Sequence, residues 1–456
     1  MKVLLIEPAK GPTSLGGEEY FIYEPLALEY LAAGIADHHD VKLLDMRLDK
    51  DLPGALEIFQ PDVVGITAYT VHVNSVLGLL QDVKAWNPDV LTVVGGHHAT
   101  IRPSDLSSPA TDLIVVGEGV DPFREIVIRL EKGMNYSGIP GVMYQRDGEL
   151  VGEEPLPASD PDSSPFPLRS VSSAYRGDYY SEWMKPLASM RTSRGCPFRC
   201  SFCAQWKIAK GKYLRRKPEC IAEELAGIDE PYVFFADDES MMDVERMLRL
   251  AGLIEASGMR KEFFLYARSD TIVRHPELFE AWRGIGLSRV FVGLEFFRDE
   301  DLQYIRKSSS IEDNNRAVGI LHDMGIGIYA SFIVRPSFTR PDFKALVRYC
   351  HELEVDFASF AVLTPLPGTD LYEEVKDSLL THDYDYFDFN HTLLPTELPM
   401  DVFYQEMAAL YRRAVPPRKV MALLRKYPLR EIPGLFRKGA HLQRSLKNAW
   451  KDYDFS

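Results

Sequence analysis

Three of the chain's five cysteines fall inside one short stretch, Arg194-Gly195-Cys196-Pro197-Phe198-Arg199-Cys200-Ser201-Phe202-Cys203, with the spacing C-x3-C-x2-C. Three thiolates this close can hold a [4Fe–4S] cluster through three of its irons, leaving the fourth without a protein ligand. A coordination position left open marks a catalytic rather than a sealed structural metal site. Zinc is the competing reading, but structural zinc wants four ligands in paired spacings. Cys220 and Cys350 stand alone within helical patterns and supply no second pair.

Further polar residues recur where strand-like runs end. Asp237, Asp238 and Glu239 follow such a run and offer acceptors to a cationic ligand. A solvated N-cap for the next helix would account for one of these acids but not for three. Arg268 ends the next run, where its planar fork suits a carboxylate. Glu295 ends an otherwise apolar run, and a carboxylate there needs either a ligand or an Arg partner such as Arg268. Arg335 is a similar candidate one run later. Towards the N-terminus, Gly65, Gly95, Gly96, Gly117 and Gly119 sit at strand ends, where the missing Cβ lets backbone approach a bulky ligand. Thr67, His97 and Glu118 lie in the same loops. For His97 and His98, metal ligation and a polar loop beside a pocket stand as equal readings.

The elements that must position these residues follow from alternation. Over residues 1–135, strand-like runs at 3–6, 41–44, 63–67, 90–94 and 113–116 alternate with helical runs at 25–36, 74–86 and 123–130. That pitch predicts a parallel, doubly wound, Rossmann-like α/β sheet, with ligands beyond the carboxyl ends of its strands. No G-x-G-x-x-G follows the first strand, so a nicotinamide site is unsupported. Residues 136–185 read as a hairpin, a Pro/Ser/Asp-rich linker at 155–167 and an aromatic cluster of Tyr175, Tyr179, Tyr180 and Trp183 that packs under the linker. Over 186–385, strands are expected at 187–193, 231–236, 262–267, 289–295, 326–334 and 357–363, giving a partial (βα)6 barrel with catalytic groups at the strand ends. Residues 386–456 form a small helical C-terminal region. The aromatic stretch at 381–391 suits either a cavity lining or a cap over the barrel bottom.

The cysteine spacing, Phe202 before the third cysteine and the lead-in Leu187-Ala188-Ser189-Met190-Arg191-Thr192-Ser193 resemble the radical S-adenosylmethionine (SAM) superfamily. Over most of its length the chain resembles cobalamin-dependent members of that superfamily. Its Glu24-Pro25-Leu26-Ala27-Leu28-Glu29, Gly-Gly-His and Leu363-Thr364-Pro365-Leu366-Pro367-Gly368-Thr369 strings are most similar to hopanoid C-3 methylases. The resemblance implies that Cys196, Cys200 and Cys203 hold the cluster. It implies that Asp237, Asp238 and Glu239 meet the SAM amino group, Arg268 its carboxylate and Glu295 its ribose. It implies that Thr67, Gly95, Gly96, His97, Gly117, Glu118 and Gly119 border cobalamin. The familiar cobalamin signature D-x-H-x-x-G has no counterpart: the loop reads Glu7-Pro8-Ala9-Lys10-Gly11-Pro12, without the histidine that would ligate cobalt. A structural Rossmann-like domain is the alternative there. The implied chemistry is SAM cleavage to a radical, then methyl transfer from methylcobalamin to an unactivated sp3 carbon of a hydrophobic polycyclic lipid. A flavodoxin- or ferredoxin-like electron donor is the implied partner. A radical cyclase or tetrapyrrole-modifying enzyme, and a non-catalytic iron–sulfur or corrinoid sensor, are the rival readings.

A net charge of −15 and a pI near 5.3 argue against a nucleic-acid binder. An oxygen-sensitive cluster and the absence of a disulfide framework point to the cytoplasm. The N-terminus opens directly on a strand with no leader pattern, and no apolar run reaches the ~18 residues of a membrane span. From Arg412 the chain turns basic, opposed only by Glu431, Asp452 and Asp454, with Leu423, Leu424, Leu429, Leu435, Phe436 and Leu442 interleaved. An interfacial helix on the inner face of an anionic membrane and an ordinary solvated helical pair both fit that pattern.

Overall fold

The computed structural model describes residues 1–17, 20–157 and 160–453; Asp454 and part of the 155–167 linker lie outside the described residues. The first sheet contains β1 (Lys2–Glu7), β2 (Asp40–Asp45), β3 (Val63–Thr67), β4 (Leu91–Gly95), β5 (Leu113–Val115), β6 (Val142–Arg146) and β7 (Glu149–Gly152), in the spatial order β2-β1-β3-β4-β5-β6-β7. The first five are parallel; β1, β3, β4 and β5 are almost wholly buried because helices cover both faces, while the edge strand β2 is buried only over Leu43–Asp45. The strand order reverses between β1 and β3, which opens a crevice at their carboxyl ends. The hairpin β6–β7 joins this sheet antiparallel to β5, so it extends the N-terminal sheet. A helix at Leu52–Phe59, capped by Asp51 accepting from Gly54 N, had no counterpart in the sequence reading.

The second sheet is sequential and parallel: β8 (Leu187–Met190), β9 (Tyr232–Phe235), β10 (Glu262–Ala267), β11 (Leu287–Glu295), β12 (Gly327–Val334) and β13 (Phe357–Val362). It is a partial six-stranded barrel with helices outside. Strand β8 stops at Met190, three residues short of expectation, because Thr192 and Ser193 turn aside to hydrogen-bond Asp237 and Ser193–Arg194 pairs with Leu214–Arg215. Alternation sorts the side chains. Ala188, Met190, Phe235, Phe263 and Leu265 face the helices, while Leu187, Phe234, Phe264 and Tyr329 face the lumen. Aromatic rings fill that lumen: Tyr23–Phe234, Phe234–Tyr266, Tyr266–Phe291 and Tyr329–Phe357 have centroids 4.6, 5.2, 4.8 and 4.7 Å apart. Tyr23 belongs to the N-terminal part, whose Phe21–Ile22 pairs with Tyr180–Ser181.

The stretch at 381–391 does not cap the barrel bottom. It is a strap near the mouth. Val362 N, at the end of β13, donates to Phe389 O. Ser14 donates to Asp385 O, Leu15 N to Asp388, Asn74 to Asp383, and Tyr384 to Asp105. At the barrel bottom lies the C-terminal helix Pro417–Leu424, and the following helix Ile432–Asn448 packs along Met400–Arg413. Arg418 pairs with Glu354 and Lys419 with Asp356, while Lys426 Nζ lies 4.2 Å from the Trp183 ring centroid. Trp183 in turn stacks over the fully buried Arg289, which pairs with Glu182. Trp183 and Tyr180 therefore pack against the tail, while Tyr175 and Tyr179 pack against the N-terminal domain. Part of the tail's charge is spent on the barrel itself. Among the described residues no helix is long and apolar enough to cross a membrane.

Candidate active site

The cysteine loop leaves β8 and crosses the barrel mouth. Its first residue, Gly195, has φ +81°, a conformation that suits glycine, and a Cβ there would sit 2.2 Å from Lys212 O. Gly195 N donates to Asp238 Oδ2 at 2.7 Å. Downstream, Ser201 N donates to Ile305 O, Leu371 N to Ser201 O, and the Trp206 indole to Cys200 O. Phe202 packs against the outer core and anchors the loop's far end. Cys200 is buried, and Cys196 and Cys203 are half-buried. Burial pushes the Cys196 thiol up to about 11 and the Cys203 thiol to about 12, so without a cation these sulfurs stay protonated. No group of three His, Cys, Asp or Glu converges on a single ion among the described residues. Three soft donors on a pinned loop beside otherwise unpaired space fit an iron–sulfur group.

The acid trio has divided its labour. Asp237 is buried and serves the fold: it accepts from Thr192 N at 2.7 Å, Thr192 Oγ1 at 2.5 Å and Ser193 N at 2.9 Å. Asp238 orients Gly195 and remains half-buried. Glu239 accepts from Arg268 N at 3.0 Å, and burial lifts its carboxyl to about 8. Arg268 is not a free fork. Its Nε donates to Asp270, its Nη2 to Ser308 O, and its guanidinium lies 3.6 Å from the Phe198 ring centroid, bracing the cysteine loop. Nor does it pair with Glu295. That carboxylate is bound to Lys307, whose Nζ also donates to Gly293 O at 2.7 Å. Arg335 reaches Asp301 at 2.7 Å and packs on Tyr304. Asp270 lies on the helix after β10, whereas Lys307 and Asp301 both lie on the segment after β11.

Above the mouth lies the carboxyl edge of the first sheet. Gly96 has φ +107°, and a Cβ would lie 2.8 Å from Ala68 N and O and from Thr67 Oγ1. Glycine at that position is thus demanded by the close approach of β3 and β4. Gly95 and Gly119 show no backbone clash, and a Cβ on Gly117 would meet Pro155. His98 is fully buried and structural, held by Thr70 and Asp105. His97 instead faces the gap: burial and then the Arg191 charge hold it neutral, with its pKa down to about 4. Its ring meets Tyr69 edge-on at 4.8 Å. Tyr69 is 47% exposed and lies near Glu7, Arg191 and Asp238, between the two domains. Glu118 spans that cleft to pair with Arg194. Tyr69 and His97 above come within electrostatic reach of Arg191, Asp238 and Tyr266 below, and Gly96 brings backbone close at the same edge, a lining that fits a corrinoid. Arg191, Tyr69 and Tyr266 were absent from the sequence-based set. Strand alternation could have flagged Arg191 and Tyr266, whereas Tyr69 is identified only by the packing of two domains.

Residues 13–127 match the family model for the B12 binding domain, and residues 190–378 that for the Radical SAM superfamily. The chain is 31% identical to the hopanoid C-3 methylase of Methylococcus capsulatus, over 89% of this chain and 79% of that protein. It is 27% identical to an anaerobic magnesium-protoporphyrin IX monomethyl ester cyclase of Rubrivivax gelatinosus, over 91% and 77% of the two chains. The cobalamin-dependent SAM radical enzyme OxsB, solved with aqua-cobalamin bound, shares the fold at a TM-score of 0.73 and 17% identity, over 98% of this chain and 72% of that one.

Proposed function

Since the chain belongs to the cobalamin-dependent radical SAM family and is a methyltransferase of that family, we propose that it methylates an unactivated sp3 carbon of a hydrophobic, polycyclic, hopanoid-like lipid. When bound, the cluster, SAM and cobalamin supply radical initiation and the methyl group. Cys196, Cys200 and Cys203 would hold the cluster. Asp238 and the Arg268–Phe198 stack hold the loop that would carry the cluster. His97, neutral at ordinary pH, and Thr67 would border the corrinoid without placing a charge beneath it. Gly117, Glu118 and Gly119 would close one side.

The observation that carries the lipid reading is the cleft's floor. The lumen below the mouth is packed with aromatic rings, so an acceptor would meet a floor of Tyr266, Phe291 and Tyr23. A rigid, flat, apolar molecule matches that surface. The tail supports a lipid source. Leu429 is 85% and Phe436 62% exposed, amid exposed Arg425, Arg430 and Arg437. The test is anaerobic turnover with methyl-labelled SAM, cobalamin and a mixture of polycyclic lipids, read by mass spectrometry. Label in a lipid is the expected result. Turnover that yields an unlabelled ring-closed product would favour the cyclase reading, which similarity to the ester cyclase supports.

A further inference from the structure

Arg191 immediately follows β8 and is half-buried at the barrel mouth. Leu187 faces the lumen, so the two-residue period of the strand puts Arg191 on the same side. Its backbone oxygen accepts from Arg216, but its guanidinium has no hydrogen bond or ion pair with any described residue. Its charge is felt by Tyr30, Tyr69, His97 and Arg194, which fixes it in the cleft. Nearby anions are engaged elsewhere: Glu118 by Arg194, Asp237 by Thr192 and Ser193, one Asp238 oxygen by Gly195. A half-buried guanidinium that no described carboxylate pairs suits an anionic ligand. The register Met190↔Phe235 sets Arg191 beside Ala236, one strand from the acid trio. A cation next to carboxylates matches the carboxylate and ammonium that an α-amino acid carries on one carbon.

We propose that Arg191 is a carboxylate-binding, positioning residue that takes the α-carboxylate of SAM, while Arg268 braces the cysteine loop. This rests on the family's use of SAM and is independent of the lipid acceptor. The phosphodiester of the corrinoid is the other anion the cleft could receive, and the experiment separates the two.

The test uses the full chain, anaerobically reconstituted with its cluster. Equilibrium binding of SAM, of decarboxylated SAM and of cobalamin is measured for the parent, Arg191→Gln and Arg191→Lys. Arg191→Gln should weaken SAM about ten- to a hundredfold, the value of a charge-assisted hydrogen bond. Arg191→Lys should fall between, because it keeps the charge but loses the fork. Decarboxylated SAM and cobalamin should bind parent and variants alike. Unchanged SAM affinity in Arg191→Gln overturns the proposal. So does equal loss of SAM and its decarboxylated analogue, which marks a structural role, and so does loss of cobalamin with SAM retained, which assigns Arg191 to the phosphodiester. A parent protein that binds no SAM at all would instead refute the family's chemistry for this chain.

Discussion

Replacing Gly195 by alanine tests how tightly the fold specifies the cysteine loop. Gly195 has φ +81°, which costs an L-residue about 1–2 kcal/mol. The new Cβ would also lie 2.2 Å from Lys212 O and 2.6 Å from Ala209 Cβ. Lys212 O is main chain, and the short ladder Ser193–Arg194 with Leu214–Arg215 holds it from both sides. Relieving such overpacking costs about 1–3 kcal/mol more. The sum, roughly 2–5 kcal/mol, falls on the segment that carries the ligands. Gly211 is the control: its φ is +71°, but nothing lies within 4 Å of its Cβ position, so Gly211→Ala meets only the backbone term. The assay is iron and sulfide bound per chain after anaerobic reconstitution, with thermal midpoints for both variants. Gly195→Ala should lose most of its cluster and Gly211→Ala should keep it. Equal cluster content and equal midpoints would refute the claim that the Lys212 carbonyl confines the loop.

Asp237→Ala removes a buried acceptor of three hydrogen bonds and should destabilise the barrel mouth by at least ~2 kcal/mol, with loss of cluster loading; denaturant midpoints and iron content read it. His391 should make the strap pH-sensitive. Burial lowers its pKa, but Asp388 at 2.8 Å and Asp452 at 3.2 Å outweigh that and raise it. Its contribution is therefore complete below the unfolded value near ~6.5 and is lost as pH rises through the raised folded value. Proteolysis of the 381–391 strap should accelerate across that window in the parent and lose this pH dependence in His391→Gln. Leu429→Ser with Phe436→Ser should abolish co-sedimentation with anionic vesicles, and raised salt should weaken the parent's binding; the same sedimentation in parent and double variant would remove the membrane from the account.

Local order made much of the molecule legible. The cysteine spacing, the strand–helix pitch and the Gly95-Gly96-His97 turn each depend on neighbours within a few residues, so they survive translation into sequence patterns. Partners across elements do not. Nothing near Glu295 announces Lys307, and nothing near Arg335 announces Asp301, because both partners sit on the segment after β11. Arg268 reads as a binding fork until Asp270 and the Phe198 ring are seen to occupy it. The cap reading of 381–391 fails for the same reason: its hydrogen bonds run to Ser14, Leu15, Asn74 and Asp105, hundreds of residues upstream. Charge counting in the tail missed that Arg418 and Lys419 are matched by Glu354 and Asp356.

The central claim is that Cys196, Cys200 and Cys203 hold one cubane whose free iron takes SAM. Electron paramagnetic resonance of the reduced, anaerobically reconstituted chain, titrated with SAM, addresses it directly. A single cluster signal that shifts to a new form as SAM saturates, and that vanishes in Cys200→Ala, is the predicted result. A signal indifferent to SAM, or no cluster signal from the parent chain, would contradict it.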